Sequence, residues 1–97
     1  MNNTFGFDTA IRLMKDGEKV RRSGWNGKGM WICLGEGTKN LPADKFWNKH
    51  TKAFAESQGG WADVLPYFIM KTADNNIMMG WLASQSDMVA DDWEVAL

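Results

Sequence analysis

The stretch SGWNGKGM at residues 23–30 brings together the residue types of a small-ligand site. Its three glycines and Asn26 tolerate the positive φ values of a tight turn, and the backbone N–H groups of such a turn can surround an anion. Lys28 adds a positive charge, while Trp25 supplies a flat ring that either packs on the core or stacks on a ligand. No Lys-Ser/Thr pair ends the stretch, which excludes a phosphate-binding loop of the Walker type. The stretch therefore predicts a turn that is able to carry a binding surface.

Other side chains along the sequence have the chemistry of a nucleotide site. Trp25, Trp31 and Trp81 offer ring faces for a purine, and stacking of a base on an aromatic ring contributes ~1–3 kcal/mol. Arginine and lysine pair with phosphates, arginine in a bidentate manner, and short polar side chains bind ribose hydroxyls and base edges. The basic candidates are Arg21, Arg22, Lys28 and Lys71, and the polar candidates are Asn26, Thr72, Ser84, Gln85 and Asp87. For each of them, a packing or surface role is the alternative.

Groups that would catalyse a reaction or bind a metal are few. His50 is the single histidine and has no evident nucleophile beside it, and Cys33 lies in the apolar stretch MWICL, which favours an inert thiol. One cysteine and one histidine fall short of the usual zinc ligands. The carboxylates near the end of the chain lack the spacing of an EF-hand loop and favour a solvated acidic rim, formed by Asp87, Asp91, Asp92 and Glu94. We expect no catalytic residue, no metal and no cofactor.

Length and composition narrow the class of protein. The chain has 97 residues, which predicts one domain with a thin core, yet it carries six tryptophans and five phenylalanines. So many rings point to an aromatic interface or pocket. A net charge of −1 argues against a non-specific nucleic-acid binder, although residues 19–29 form a local basic cluster. With one cysteine, no signal peptide pattern and no long apolar run, we expect a cytoplasmic protein without a membrane partner.

The first third of the sequence predicts a helix followed by a hairpin. Phe7, Ala10, Ile11 and Met14 recur at helical spacing and indicate a helix over residues 7–16, with Gly17 at its end. The segments KVRR and MWICLG are predicted strands on either side of the turn at 23–29. The segment GEGTKN at 35–40 is predicted to be a loop.

The rest of the sequence completes an α+β fold, which is a small antiparallel sheet with an N-terminal helix and an inserted central helix. That inserted helix is predicted from Pro42 to residue 58, with one face formed by Phe46, Trp47, His50, Ala53 and Phe54. YFIMKT and IMMGWLA (67–72 and 77–83) are predicted strands around the turn ADNN. Ser84 and Asp87 have the spacing of a capping box, and DDWEVAL (91–97) is the predicted last strand.

Two long segments resemble a known family. They are FDTAIRLMKDGEKVRRSGWNGKGM (7–30) and YFIMKTADNNIMMGWLASQSDMVADDW (67–93). The first resembles the opening and the second resembles the later half of the second Thoeris anti-defence type, a family of small phage and bacterial proteins. Residues 38–62 depart from the shorter middle of that family, and Gly80 stands where it usually has a proline. We therefore expect a single ligand-binding domain over 1–97 with an insert at about 38–62.

The resemblance implies a molecular sponge. Such proteins bind cyclic ADP-ribose-type signals of a bacterial immune sensor and withhold them from the effector, and some hold cyclic dinucleotides. Glyco-cyclic ADP-ribose isomers are the expected ligands, in the cytoplasm of the infected host. The family also implies a homo-oligomer, a homotetramer with ligand sites between subunits. Carried onto this sequence, the ligand-binding residues are Arg22, Trp25, Asn26, Gly27, Lys28, Met30, Lys71, Thr72, Trp81, Ser84, Gln85 and Asp87.

Two other functions stay open at the level of sequence. An enzyme that degrades the same nucleotides would need a general base or a metal, for which His50 or the carboxylates at 87–92 are the candidates. A nucleic-acid or protein interaction module would use the basic turn, and nucleic-acid binding of that kind weakens steeply with added salt.

Overall fold

The computed structural model describes residues 3–97, which divide into two compact units. The large unit comprises residues 3–35 and 67–97, and the small unit comprises residues 36–66. Across both units the helices are α1 (Phe7–Lys15), α2 (Lys49–Ser57) and α3 (Gln85–Val89), and the strands are β1 (Val20–Arg22), β2 (Trp31–Gly35), β3 (Thr38–Pro42), β4 (Trp61–Val64), β5 (Tyr67–Lys71), β6 (Ile77–Met79) and β7 (Trp93–Val95). The predicted α+β class, with an N-terminal and a central helix, is confirmed.

In the large unit, five antiparallel strands form a sheet in the order β6-β5-β2-β1-β7. Helix α1 lies against this sheet because its apolar residues recur at helical spacing, which leaves Ala10 and Met14 buried. It ends at Lys15, and Gly17 closes the turn that follows: its φ of +96° suits glycine, and its N–H donates to the carbonyl of Met14 at 3.0 Å. The buried core consists of Ala10, Met14, Val20, Ile32, Met70 and Trp93.

The two faces of the five-stranded sheet differ. Val20, Ile32 and Met70 are paired in register and belong to the buried core. Their chain neighbours point to the opposite face because side chains alternate along a strand. That face carries Trp31, whose ring lies 4.9 Å below the ammonium of Lys19, and Cys33, whose thiol pKa is raised by burial.

The small unit is a two-stranded antiparallel sheet of β3 and β4 with a 3₁₀ turn at Ala43–Lys45 and helix α2. Its buried residues are three alanines, Ala43, Ala55 and Ala62, with Phe46 packed against them. Large apolar side chains are left exposed around this small core, and they are Trp47, Phe54, Trp61 and Leu65.

Two predictions for the small unit are wrong. The predicted loop at 35–40 contains the end of β2 and the start of β3. The central helix begins at Lys49 and not at Pro42, because Asn48 is its N-cap: the Asn48 Oδ1 accepts the N–H groups of His50 and Thr51. Phe46 and Trp47 precede the helix, so the helical face predicted from them does not exist.

The predicted strand at 77–83 is too long, since β6 ends at Met79 and the next residue, Gly80, has a φ of +100°. The last strand is likewise limited to Trp93–Val95. Predictions for α1, the β1–β2 hairpin, β5 and the turn at 73–76 are confirmed. In the described part of the chain the longest helices, α1 and α2, have nine residues each, so none of its helices is a candidate for a membrane span.

Candidate functional site

The turn between β1 and β2, residues 23–30, forms one side of a cleft of about 390 Å³. We call this segment the glycine turn. The volume lies at the lower end of the ~300–1,000 Å³ typical of small-molecule sites. The cleft is lined by Arg21, Arg22, Ser23, Trp25, Asn26, Gly27, Lys28, Gly29, Met30 and Glu94. Half of the predicted ligand residues are thus gathered in one place, namely Arg22, Trp25, Asn26, Gly27, Lys28 and Met30.

The path of the glycine turn depends on two of its glycines. Gly29 has a φ of +76°, which most L-amino acids avoid. A Cβ on Gly27 would lie 2.6 Å from the Met30 sulfur and 2.9 Å from the Ala73 Cβ. Glycine at these positions therefore lets the turn fold back closely on itself and on the β5–β6 turn.

Two other tryptophans and one hydrogen bond hold Trp25 in place. Its ring meets those of Trp93 and Trp81 edge-on, with centroids 5.3 and 6.3 Å apart. Its indole Nε1–H donates to the Oδ1 of Asp87 at 3.1 Å. The half-buried residue therefore packs on the core, which is the first sequence interpretation, and it also lines the cleft. Stacking on a ligand stays a prediction.

A polar network, which we call the Arg22 network, fixes the glycine turn to α3 and to the residue before β7. It consists of Arg22, Trp25, Ser84, Asp87 and Asp92. Arg22 donates from Nη1 to Asp87 Oδ1 at 2.9 Å and from Nε to Asp92 Oδ1 at 2.8 Å. Asp92 Oδ2 accepts the backbone N–H of Gly24 at 2.8 Å. One guanidinium therefore ties two carboxylates to the base of the turn.

Asp87 is the most connected member of this network. Its Oδ2 accepts the N–H of Ser84 at 3.2 Å, and its own N–H donates to Ser84 Oγ at 3.1 Å, which is the predicted capping box of α3. The indole N–H of Trp93 donates to the Asp87 backbone carbonyl at 2.9 Å. Asp87 thus links a helix start, a core ring and the glycine turn.

The network keeps its carboxylates ionised. Burial acts to raise the pKa of Asp87, but hydrogen bonds from Arg22, Trp25 and Ser84 outweigh burial, so that pKa is lowered. The hydrogen bond from Arg22 is the main cause of the lowered pKa of Asp92. The same two carboxylates raise the pKa of Arg22, Asp92 more than Asp87.

The other predicted ligand residues lie at varying distance from the cleft. Lys71 is close to it, since its Nζ donates to the Gly29 carbonyl at 2.9 Å. Trp81 packs on Trp25. Thr72 belongs to the β5–β6 turn, where its hydroxyl accepts the N–H of Asn76 at 2.9 Å and donates to Asp74 at 2.6 Å. Gln85 is exposed at the start of α3. None of the other six predicted ligand residues lines the cleft, and these are Lys71, Thr72, Trp81, Ser84, Gln85 and Asp87.

The acidic rim predicted near the end of the chain is wrong for three of its four residues. Asp87 and Asp92 pair with Arg22, and the Glu94 Oε2 lies 2.8 Å from the Nε of Arg21. Only Asp91 keeps the exposed position expected of the rim. Sequence reasoning also passed over Ser23, Gly29 and Glu94 as cleft residues. The register of β1 with β7 would have revealed Glu94, because Arg21 stands directly opposite it.

Comparison with known proteins identifies the relatives of the chain. Residues 5–96 match the model of the Thoeris anti-defense 2-like domain, the Tad2-like family. The chain is also 34% identical to the protein named Thoeris anti-defense 2 of Bacillus phage SP01, in an alignment of length 102 that covers 98% of each sequence. The chain belongs to the Thoeris anti-defense 2-like family. The matched range includes residues 38–62, whose status as an insert relative to shorter members stays a prediction.

Membership of the Thoeris anti-defense 2-like family supports an anti-defence role. The residues that line the cleft include the aromatic Trp25, the basic Lys28 and the glycines Gly27 and Gly29. Among residues 3–97, no group of three or more histidine, cysteine or acidic side chains is arranged to hold a metal ion. Aromatic and basic side chains are the residue types that stack on planar rings and bind anionic groups.

Proposed function

We propose that this family member sequesters a cyclic nucleotide immune signal without converting it, and so keeps a Thoeris defence effector inactive. The proposed ligands are glyco-cyclic ADP-ribose isomers and, second to them, cyclic dinucleotides. The observation that carries the proposal is the meeting of Trp25, Lys28 and the backbone of the glycine turn in one cleft. Family membership supports the anti-defence part of it.

The proposed binding mode assigns a part of the ligand to each of these groups. The accessible part of the Trp25 ring stacks on a base, which contributes ~1–3 kcal/mol. The ammonium of Lys28 and the N–H groups of the glycine turn bind phosphate or hydroxyl oxygens by charge-assisted and neutral hydrogen bonds. A sponge acts by stoichiometry, so it needs tight binding, and nanomolar affinity corresponds to about −12 kcal/mol.

The remaining predicted residues enter the proposal through assembly. We propose a homotetramer in which Thr72, Gln85 and their neighbours complete the site of another subunit. Exposed apolar side chains support self-association: β6 is an edge strand of the five-stranded sheet, and its residues Ile77, Met78 and Met79 are all exposed. Light scattering of the purified protein measures the mass of the assembly and tests this part.

Ligand release tests the sponge directly. The purified protein is incubated with a panel of cyclic ADP-ribose isomers and cyclic dinucleotides, freed of unbound ligand and denatured by heat. Stoichiometric recovery of an intact ligand supports sequestration, and recovery of a converted product indicates an enzyme instead. If no ligand is retained, the proposal fails and an interaction module becomes the better explanation.

A pair of lysine variants assigns the retained ligand to the cleft. Lys28→Met removes the ammonium of the glycine turn, whereas Lys49→Met removes an exposed ammonium of α2 in the small unit. We expect retention to be lost in the first variant and unchanged in the second. Equal retention by both variants would place the ligand elsewhere.

A further inference from the structure

The three cationic side chains that line the cleft differ in how far carboxylates already neutralise them. Arg22 is bound to both Asp87 and Asp92. Arg21 is bound to one carboxylate, Glu94. Lys28 makes no ion pair with any residue of the range 3–97. Among the described residues that line the cleft, Lys28 is therefore the one cation without a carboxylate partner, while the ammonium of Lys71 beside the cleft is bound to the Gly29 carbonyl.

The Arg21–Glu94 pair differs from the Arg22 network in its accessibility. Arg21 and Glu94 face each other across β1 and β7, and their side chains are 41% and 27% exposed to solvent. Arg22 keeps 20% and is held by two acceptors. Solvent-exposed ion pairs are weak, so the Arg21 guanidinium is the one that a ligand can recruit. A ligand oxygen that binds there must approach the carboxylate of Glu94.

We propose that Glu94 determines how much negative charge the cleft accepts. Lys28 anchors one anionic group, and Glu94 occupies Arg21 and repels additional phosphate oxygens. The ligand class that fits is a nucleotide with few exposed charges, such as a phosphodiester or a cyclic pyrophosphate, and not a nucleoside triphosphate. The inference rests on the proposed function only in placing the ligand in the same cleft.

A charge series of inorganic anions tests this inference. Orthophosphate, pyrophosphate and tripolyphosphate are titrated into the ¹⁵N-labelled protein at constant ionic strength, and the amide signals of Gly27, Lys28 and Gly29 report binding. For the unmodified chain we expect affinities within roughly threefold of one another, because the second cation is occupied. Glu94→Gln should strengthen tripolyphosphate binding roughly fivefold to tenfold and leave orthophosphate nearly unchanged.

Two further variants make the test specific. Asp91→Asn removes the same charge from an exposed residue that makes no ion pair within the described part of the chain, so it controls for net charge. Lys28→Met should abolish the amide shifts for all three anions. Unchanged signals of β2 and β5 in every variant show that the fold is kept.

Three outcomes would overturn the inference. They are a steep rise of affinity with charge in the unmodified chain, an equal gain in Glu94→Gln and Asp91→Asn, and the absence of any shift at the glycine turn. Because these probes are inorganic ions, the result is separate from that of the ligand panel. If the protein retains no cyclic nucleotide but Glu94→Gln strengthens tripolyphosphate binding, only the proposed sequestration is refuted. If it retains a cyclic nucleotide but Glu94→Gln has no such effect, only the proposed role of Glu94 is refuted.

Discussion

The large and the small unit use tryptophan in opposite ways. In the large unit Trp93 has no exposed surface and packs against Phe7, Trp25 and Trp81. In the small unit Trp47 is 93% exposed, and the buried residues are three alanines. The apolar content of a segment therefore does not determine how much of it is buried.

This difference explains where the candidate site lies. A site needs side chains that neighbouring groups hold in place. In the large unit, Trp93 contacts the Trp25 ring and donates a hydrogen bond to the Asp87 carbonyl, so the core directly supports the glycine turn. Exposed aromatic groups such as Trp47 and Phe54 instead mark a surface suited to contact with another molecule.

We expect the largest difference between the two units when the stabilities of Trp93→Ala and Trp47→Ala are compared. Removal of the fully buried ring should lower the free energy of unfolding by about 3–5 kcal/mol. Removal of the exposed ring should change it by no more than about 0.5 kcal/mol. Urea denaturation followed by circular dichroism measures both. Similar losses in the two variants would mean that Trp47 is buried in solution.

Arg22→Ala tests the Arg22 network and should have the next largest effect. The change leaves the carboxylate of Asp87, a buried residue, without its cationic partner, and we expect a loss of about 2–3 kcal/mol in the free energy of unfolding. Arg22→Lys should recover only part of it, because an ammonium cannot bind both carboxylates in the geometry of a guanidinium. Full recovery by lysine would show that charge alone, and not the two-armed contact, fixes the turn.

The sequence was a good guide where one local signal decided the structure. The spacing of Phe7, Ala10 and Met14 predicted α1, and Ser84 with Asp87 predicted the capping box. In the middle of the chain two signals competed. The apolar residues at 46, 47 and 54 suggested a helix from Pro42, but the side chain of Asn48 caps the backbone six residues later. A cap forms local hydrogen bonds, whereas apolar spacing needs a partner surface that the sequence does not provide.

The candidate site was predicted in part for the same reason. Six predicted residues do line the cleft, because glycine, lysine and tryptophan in one turn are a local pattern. The partners of those residues are distant in sequence: Arg22 and Asp87 are 65 positions apart, and Arg21 and Glu94 are 73 apart. Which carboxylate pairs with which arginine depends on strand register and on the position of α3, so three of the four residues predicted as a solvated rim are structural partners instead.

Asn48→Ala should have a smaller effect, confined to the small unit. Loss of the cap of α2 should cost about 1 kcal/mol and speed hydrogen exchange of the α2 amides. Amides of β2 and β5 in the large unit should exchange as before. Lys52→Ala, an exposed change within the same helix, is the control. Faster exchange in the large unit would show that the two units unfold together.

Mild acid is the gentlest perturbation, and it should act on the large unit. Asp74, Asp87 and Asp92, the carboxyl groups with a lowered pKa, all belong to that unit. A lowered pKa in the folded state stabilises the protein fully above the ordinary carboxyl pKa of about 4, and this stabilisation is lost as pH falls through the folded-state values. The contribution of these carboxyl groups to the free energy of unfolding should therefore be constant from pH 7 to 5 and fall below pH 4. Asp87→Asn should flatten that fall, whereas Asp91→Asn, at an exposed residue, should leave it intact. An equally steep fall in Asp87→Asn would assign the acid sensitivity to carboxyl groups other than Asp87.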